Sequence, residues 1–203
     1  MVTAHVNAVM HAEFSYHTRY NWVELERISP HAAIAVIASE DQQFPFHAGF
    51  DFKAIRKAIR HNAKNRKVRG ASTISQQVAK NLFLWSGHSW VRKGLEVWLT
   101  VLIEALWPKE RILEVYLNIA QFGKGIYGIQ AAAQSFFHKD AARLTRREAA
   151  LLAATLPNPK IMRANAPSTY VLRSSARIMG QMRALGGVSY LQQLDDADPT
   201  ISR

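Results

Sequence analysis

Ser29-Pro30-His31-Ala32-Ala33-Ile34-Ala35-Val36-Ile37-Ala38-Ser39-Glu40-Asp41 reads as a helix with a clear start and an uncomfortable end. Ser29 carries the side-chain oxygen an N-cap needs, and Pro30 has the fixed φ and missing N–H that suit the first helical position. The apolar run from Ala32 to Ala38 is far shorter than the ~20 residues a membrane span needs, so it predicts a core helix. At its far end Glu40 and Asp41 stand where the helix dipole disfavours negative charge. Glu40 lies one turn beyond Val36 and Ile37 and shares their apolar side. Both effects raise a carboxyl pKa, which suits a general base. A salt bridge, or a cap for the following loop, is the plainer reading.

Working outward, the pattern stays helical. Asp51 caps a second helix carrying Ile55 and Ile59, and a loop follows through Gly70. Ser72 or Thr73 starts a helix reaching about Leu82. Ser89 starts a long one in which Leu95, Trp98, Leu99, Leu102 and Ile103 are expected to face inward. Pro108 interrupts it, and Ile112, Leu113, Tyr116 and Leu117 mark the next helix. A turn at Gly123, Gly125 and Gly128 leads to a helix with Ile129, Ala132, Ala133, Phe136 and Phe137. Thr145 and Glu148 make a capping box before Ala149 to Leu156, ended by Pro157 and Pro159. The last helix runs from about Ser168 to Leu185, closed by Gly186-Gly187. Strand signals are weak, so the class is mainly α. Residues 1–28 read as an extended lead-in and 29–203 as one domain.

Bulk properties set limits. A chain of 203 residues that is 48% hydrophobic supports one core, or a core with a smaller lobe. Without cysteine there is no disulfide and no thiol nucleophile. The net charge of +11 points to an anionic partner: nucleic acid, anionic lipid or a phosphorylated substrate. The densest basic stretch, Lys53 to Arg69, serves such a partner or is a solvated face. It matches no recognised nucleic-acid motif, so nucleic acid is not expected as a partner.

Two further charge patterns sit badly with helix physics. Arg92 and Lys93 fall in the first turn of their helix, where the dipole repels cations. They precede Glu96 by four and three residues, the weaker order for a helical pair. An anion at that helix start, such as a diphosphate, relieves the conflict; ordinary helix pairing is the alternative. Thr73, Gln77 and Lys80 stack on one helix face with Gln76 alongside, a hydroxyl, amides and an ammonium able to hold a sugar–phosphate. Taken alone, that stripe reads as a solvated face.

Five segments in order carry a resemblance: Glu40-Asp41-Gln42-Gln43-Phe44-Pro45-Phe46-His47-Ala48-Gly49-Phe50-Asp51; Gly70-Ala71-Ser72-Thr73-Ile74-Ser75-Gln76-Gln77-Val78-Ala79-Lys80-Asn81; Arg92-Lys93-Gly94-Leu95-Glu96 with Arg111-Ile112-Leu113-Glu114-Val115-Tyr116-Leu117-Asn118; Gly123-Lys124-Gly125-Ile126-Tyr127-Gly128-Ile129-Gln130-Ala131-Ala132-Ala133; and Leu144 to Pro159 around Glu148. Together they resemble the peptidoglycan glycosyltransferase family, family 51 of the glycosyltransferases, and within it the monofunctional biosynthetic transglycosylases. Ala71 stands where a second glycine is common, and Pro108 breaks a stretch that is usually continuous. The Ser-x-x-Lys and Lys-Thr-Gly signatures of a transpeptidase domain are missing.

The resemblance implies a mainly α fold with a lysozyme-like larger lobe and a smaller lobe facing the membrane. It implies an inverting transfer: the 4-hydroxyl of lipid II attacks a growing glycan on its lipid diphosphate, and polyprenyl diphosphate leaves. By resemblance Glu40 is the base and Glu96 assists or orients the donor-side cations. Lys80, Arg92 and Lys93 meet the diphosphate, while Thr73, Gln77 and Asn81 hold sugar or phosphate oxygens. Asp41 tunes Glu40 or helps hold a divalent cation, Mg or Mn. Phe44 and His47 shape the cleft, His47 as a hydrogen bonder rather than a metal ligand. Leu82-Phe83-Leu84-Trp85 either dips into lipid or packs between lobes. Expected partners are lipid II, the lipid-linked glycan, the membrane surface and proteins of cell division or cell-wall synthesis. The expected place is the periplasmic face of a bacterial inner membrane, by way of an N-terminal anchor ahead of residue 1. The alternatives are a lytic or hydrolytic glycan-cleaving enzyme and a basic nucleic-acid binder.

Overall fold

A computed structural model describes residues 18–64, 70–85, 87 and 89–196. The first part of the lead-in, and Arg66, Lys67 and Arg69 of the basic stretch, lie outside the described residues. The helices are α1 (Pro30–Glu40), α2 (Phe52–Lys64), α3 (Ile74–Phe83), α4 (Trp90–Leu106), α5 (Lys109–Ile119), α6 (Ile129–Phe137), α7 (Arg146–Thr155), α8 (Thr169–Ala184) and the short α9 (Gln192–Asp196). The fold is mainly α, as expected.

α1 is the centre of the molecule. Every residue from Ala32 to Ala38 is buried, so this helix has no solvent face. It packs against α7 and α8, whose alanines and aliphatics complete the core. Ser29 caps it by accepting from the N–H of His31, and the same hydroxyl donates to the carbonyl of Leu144. One residue thereby starts α1 and ties it to the entry of α7. The other sequence-assigned starts also hold: Thr73 and Thr145 form capping boxes, and Ser89 and Ser168 each accept a backbone N–H. Asp51 accepts from the N–H of Ala54 at the start of α2.

Three short strands appear where the sequence signal was weak. β1 (Arg19–Tyr20), β2 (Gln121–Gly123) and β3 (Ile126–Tyr127) form a sheet in the order β1-β3-β2, with β1 parallel and β2 antiparallel to β3. The end of the lead-in is therefore knitted into the fold. Asn118 holds Val23 by both backbone groups, and Glu114 accepts from the N–H of Leu25.

α4 corrects the expected inward face. Of Leu95, Trp98, Leu99, Leu102 and Ile103, only Ile103 is buried; Leu99 and Leu102 are half-buried, and Leu95 and Trp98 are exposed. The buried side is polar, made of Arg92, Glu96 and Thr100, with the Thr100 hydroxyl donating to the Glu96 carbonyl at 2.6 Å. The exposed side carries Trp90, Val91, Val97, Trp98, Val101 and Leu106. Charges face in because each meets a partner there, as shown below. On α2, too, Ile59 faces out, and among the described side chains only Ala58 is buried.

Candidate active site

Glu40 is the last residue of α1 and Asp41 is its C-cap. The Gln42 side-chain amide donates to the carbonyl of Ala38 at 3.0 Å, closing the helix end. Asp41 is buried, and its oxygens accept from Nε2–H of His47 at 3.0 Å and from the backbone N–H of Ile74 at 3.0 Å. Ile74 opens α3, so Asp41 sits at the positive end of that helix, where a carboxylate is favoured. The start of α3 offsets the penalty imposed by the end of α1. Buried and held by two N–H donors, Asp41 does not fit as a ligand for a divalent cation. His47 donates through Nε2, and its Nδ1 is buried without a partner among the described residues.

Gln77 projects from α3 and donates from Nε2 to Oε2 of Glu40 at 2.8 Å. An ionised carboxylate only accepts, so the amide NH2 must face it. That leaves the amide oxygen for the Tyr116 hydroxyl of α5, which donates to it at 3.2 Å. Tyr116 is fully buried. Burial, and then the charges of Glu40 and Asp41, push its phenol well above the usual range, so it keeps its proton and remains a donor. Tyr116 therefore fixes which end of the Gln77 amide meets Glu40.

Glu40 is half-buried. Burial, the largest influence, pushes its carboxyl above the ordinary value; the Gln77 hydrogen bond opposes this, the neighbouring Asp41 charge adds to it, and Lys80 opposes it. Beside it opens a cleft of about 420 Å³, also lined by Lys53 and Lys57 of α2, the stretch Gly70 to Thr73, and Gln181 of α8. Asp51 lines it as well, so the cleft mixes carboxylates with the two lysines. A partly desolvated carboxylate in such a cleft can take a proton from a hydroxyl while Lys53 and Lys57 meet an anion.

The remaining expected residues divide. Lys80 and Asn81 are exposed on α3, free to meet a ligand. Thr73 is buried, donating to the Gly49 carbonyl at 2.6 Å and accepting from the N–H of Gln76. Gln76 returns an oxygen to the N–H of Thr73 at 3.0 Å. Of the polar stripe, these two form the cap of α3, and Thr73 also lines the cleft. Phe44 is 0% exposed and lies under the cleft, its ring 4.7 Å from Nζ of Lys109. Arg92, Lys93 and Glu96 form their own group on α4. Lys93 Nζ is 2.5 Å and Arg92 Nη1 3.6 Å from the Glu96 carboxylate, which is buried. The Nε of Arg92 is buried with no acceptor among the described residues.

Sequence reasoning missed three supports. Tyr116 read as an ordinary apolar-face residue. Lys109 and Glu104 flank Pro108 and carried no signal. In the structure Lys109 Nζ donates to the His47 carbonyl at 2.5 Å and to both oxygens of Glu104, at 2.9 and 2.7 Å, while the Ser75 hydroxyl also donates to Glu104. This buried cluster locks α3, α4, α5 and the Phe44–His47 segment together beneath Glu40.

A helical core that places a raised carboxyl at a cleft is an arrangement suited to acid–base chemistry on a bound substrate, as glycan-processing enzymes use. The transglycosylase family model matches residues 7–183, and the chain belongs to that family. It is 57% identical over 194 residues to the biosynthetic peptidoglycan transglycosylase of Escherichia coli strain K12, spanning 95% of this chain and 80% of the relative. The proteins of that description from Shigella dysenteriae serotype 1 and Shigella boydii serotype 4 match at the same identity and coverage.

Proposed function

We propose that this chain polymerises glycan from lipid II, joining the acceptor 4-hydroxyl to a lipid diphosphate-linked donor and releasing the lipid diphosphate. The observation that carries the reading is Glu40: a carboxylate raised by burial, aimed by Gln77 and open to a cleft that Lys53 and Lys57 also line. Glu40 takes the hydroxyl proton as the oxygen attacks the anomeric carbon from the face opposite the diphosphate, so the configuration inverts. Lys80, Lys93 and Arg92 stabilise the charge that gathers on the diphosphate. The partnerless Nε of Arg92 supports that role, since a buried guanidinium N–H without an acceptor costs about 1–3 kcal/mol and a phosphate oxygen would satisfy it. Glu96 orients the two cations. Asp41 and Thr73 act by building the start of α3, which carries Gln77 and Lys80.

The apolar outer side of α4 supports work at a membrane surface. Trp90 is 92% and Trp98 59% exposed, and Phe83 and Trp85 at the end of α3 are exposed beside them in sequence. Such a face shields itself from water by entering the lipid interface, where tryptophan is favoured. Among the described residues no helix is long and apolar enough to cross a membrane. This face would set the catalytic part of the chain against the periplasmic surface of the membrane, where its lipid-linked substrate is consumed.

Labelled lipid II tests the reaction. The expected products are a glycan ladder and one lipid diphosphate per bond formed. A chain that instead shortened finished glycan and released no diphosphate would be the hydrolytic alternative.

A further inference from the structure

A second hollow, of about 570 Å³, shares no residue with the cleft at Glu40. It is built from β1, the β2–β3 turn, α6 and the segment that follows α7. Its rim carries Arg19, Lys124, Lys160 and Arg163, and no acidic residue lines it. Phe136 and Met162, both half-buried, give it an apolar floor. Gly123 lies against that floor so closely that a Cβ there would come within 2.8 Å of the Phe136 ring. Arg19 is held in place by its backbone N–H to the Gly125 carbonyl at 2.8 Å and by Nη1 donating to the Ser135 hydroxyl at 3.3 Å.

Scattered cations are ordinary on a chain of charge +11. These four are different in arrangement. They come from segments far apart in sequence yet converge on one concavity, and among the described residues none of them has an ion-pair partner. Like charges gathered without counter-charges repel, and an anion in the hollow would relieve them. The apolar floor adds that the anion should carry carbon bulk rather than be a bare ion.

We propose that this hollow binds the peptide carboxylates of the growing glycan strand, an inference that rests on the polymerase reading above. Position favours that occupant over lipid. The exposed apolar face belongs to α4 and the end of α3, whereas none of the elements lining the hollow belongs to that face. Tyr116, buried and linked to Glu40 through Gln77, and Gly123 at the hollow are seven residues apart, at most ~25 Å of extended chain, so the hollow lies within the length of a strand growing at Glu40. A strand held there stays on the enzyme between additions.

The test uses the full chain and soluble glycan strands in two forms, with peptides intact and with peptides removed by an amidase. Intact strands should bind and stripped ones should not. Lys160→Glu with Arg163→Glu, both exposed and so compatible with folding, should weaken intact-strand binding at least about tenfold. The charge-matched pair Arg147→Glu with Arg173→Glu, exposed on α7 and α8, should leave it within about twofold, since long-range effects between exposed charges are screened. Equal binding of stripped strands, or equal weakening by the control pair, would overturn the proposal. So would displacement of intact strands by inorganic phosphate, or a Lys160- and Arg163-dependent affinity for anionic vesicles without one for strands. None of these readouts requires catalysis. Failure to polymerise lipid II would sink the polymerase reading and leave the binding result to decide the hollow by itself.

Discussion

Two hydrogen bonds separate the Tyr116 hydroxyl from the carboxylate of Glu40. Tyr116→Phe removes one oxygen from a buried site and frees the Gln77 amide to turn. The Gln77 bond is the main influence holding the Glu40 carboxyl down against burial and Asp41, so losing it lets that carboxyl rise further. A base works only when ionised, so the acidic limb of the kcat/KM profile should move to higher pH in this variant, with activity recovered at alkaline pH. An equal loss at every pH would indicate a purely structural Tyr116. Glu40 itself was legible in the sequence because a carboxylate at the C-terminal end of an apolar helix conflicts with the dipole. Tyr116 was not, because a tyrosine among aliphatics on a helix face matches ordinary core packing, and its partner is 39 residues away. Asp41 marks a subtler limit: its conflict with α1 is visible in sequence, but its resolution at the start of α3 needs the third dimension. Asp41→Ala leaves the Ile74 N–H and the His47 ring without an acceptor. It should lower stability by ~2–4 kcal/mol, read by urea unfolding, since each orphaned buried donor costs about 1–3 kcal/mol.

At the scale of elements, helix starts were legible and helix facing was not. Ser29, Thr73, Ser89, Thr145 and Ser168 all cap where local chemistry placed them, because an N-cap is settled within four residues. The orientation of α4 is settled by what surrounds it. Its periodicity yields an apolar side and a polar side, and the usual assignment puts the apolar side inward because water is assumed outside. Here the polar side finds partners inside, and the apolar side is left for another medium. Trp90→Ser with Trp98→Ser should therefore leave the melting temperature within a few degrees of the parent while reducing sedimentation with liposomes at least about tenfold. A large loss of stability with unchanged liposome binding would mean that the two tryptophans support the fold rather than the surface.

Across the whole molecule, one buried central helix presents its last residue to a cleft whose walls come from α2, the Gly70 to Thr73 segment that leads into α3, and the C-terminal part of the chain. Gln181 shows how much of this depends on long-range assembly. It lies in a tail without any motif, yet lines the same cleft as Glu40. The three short strands join residues more than 100 positions apart, which no local pattern reveals. Charge at the centre of the molecule also links stability to function. A raised pKa means that the folded state keeps the Glu40 proton to a higher pH than the unfolded chain. Its contribution is therefore fully present below the unfolded pKa and is lost as pH rises through the folded one, so ionised Glu40 lowers stability at neutral pH.

Glu40→Gln removes that charge, keeps an oxygen to accept from Gln77, and removes the base. The most direct measurement compares this variant with the parent for polymerisation of labelled lipid II in detergent, with a thermal melt of each protein. The account predicts a melting temperature equal to or above that of the parent and a rate lower by ~10²–10⁴. A folded Glu40→Gln protein that polymerised at the parental rate would contradict it, and the base would have to be sought elsewhere, at Glu96 first.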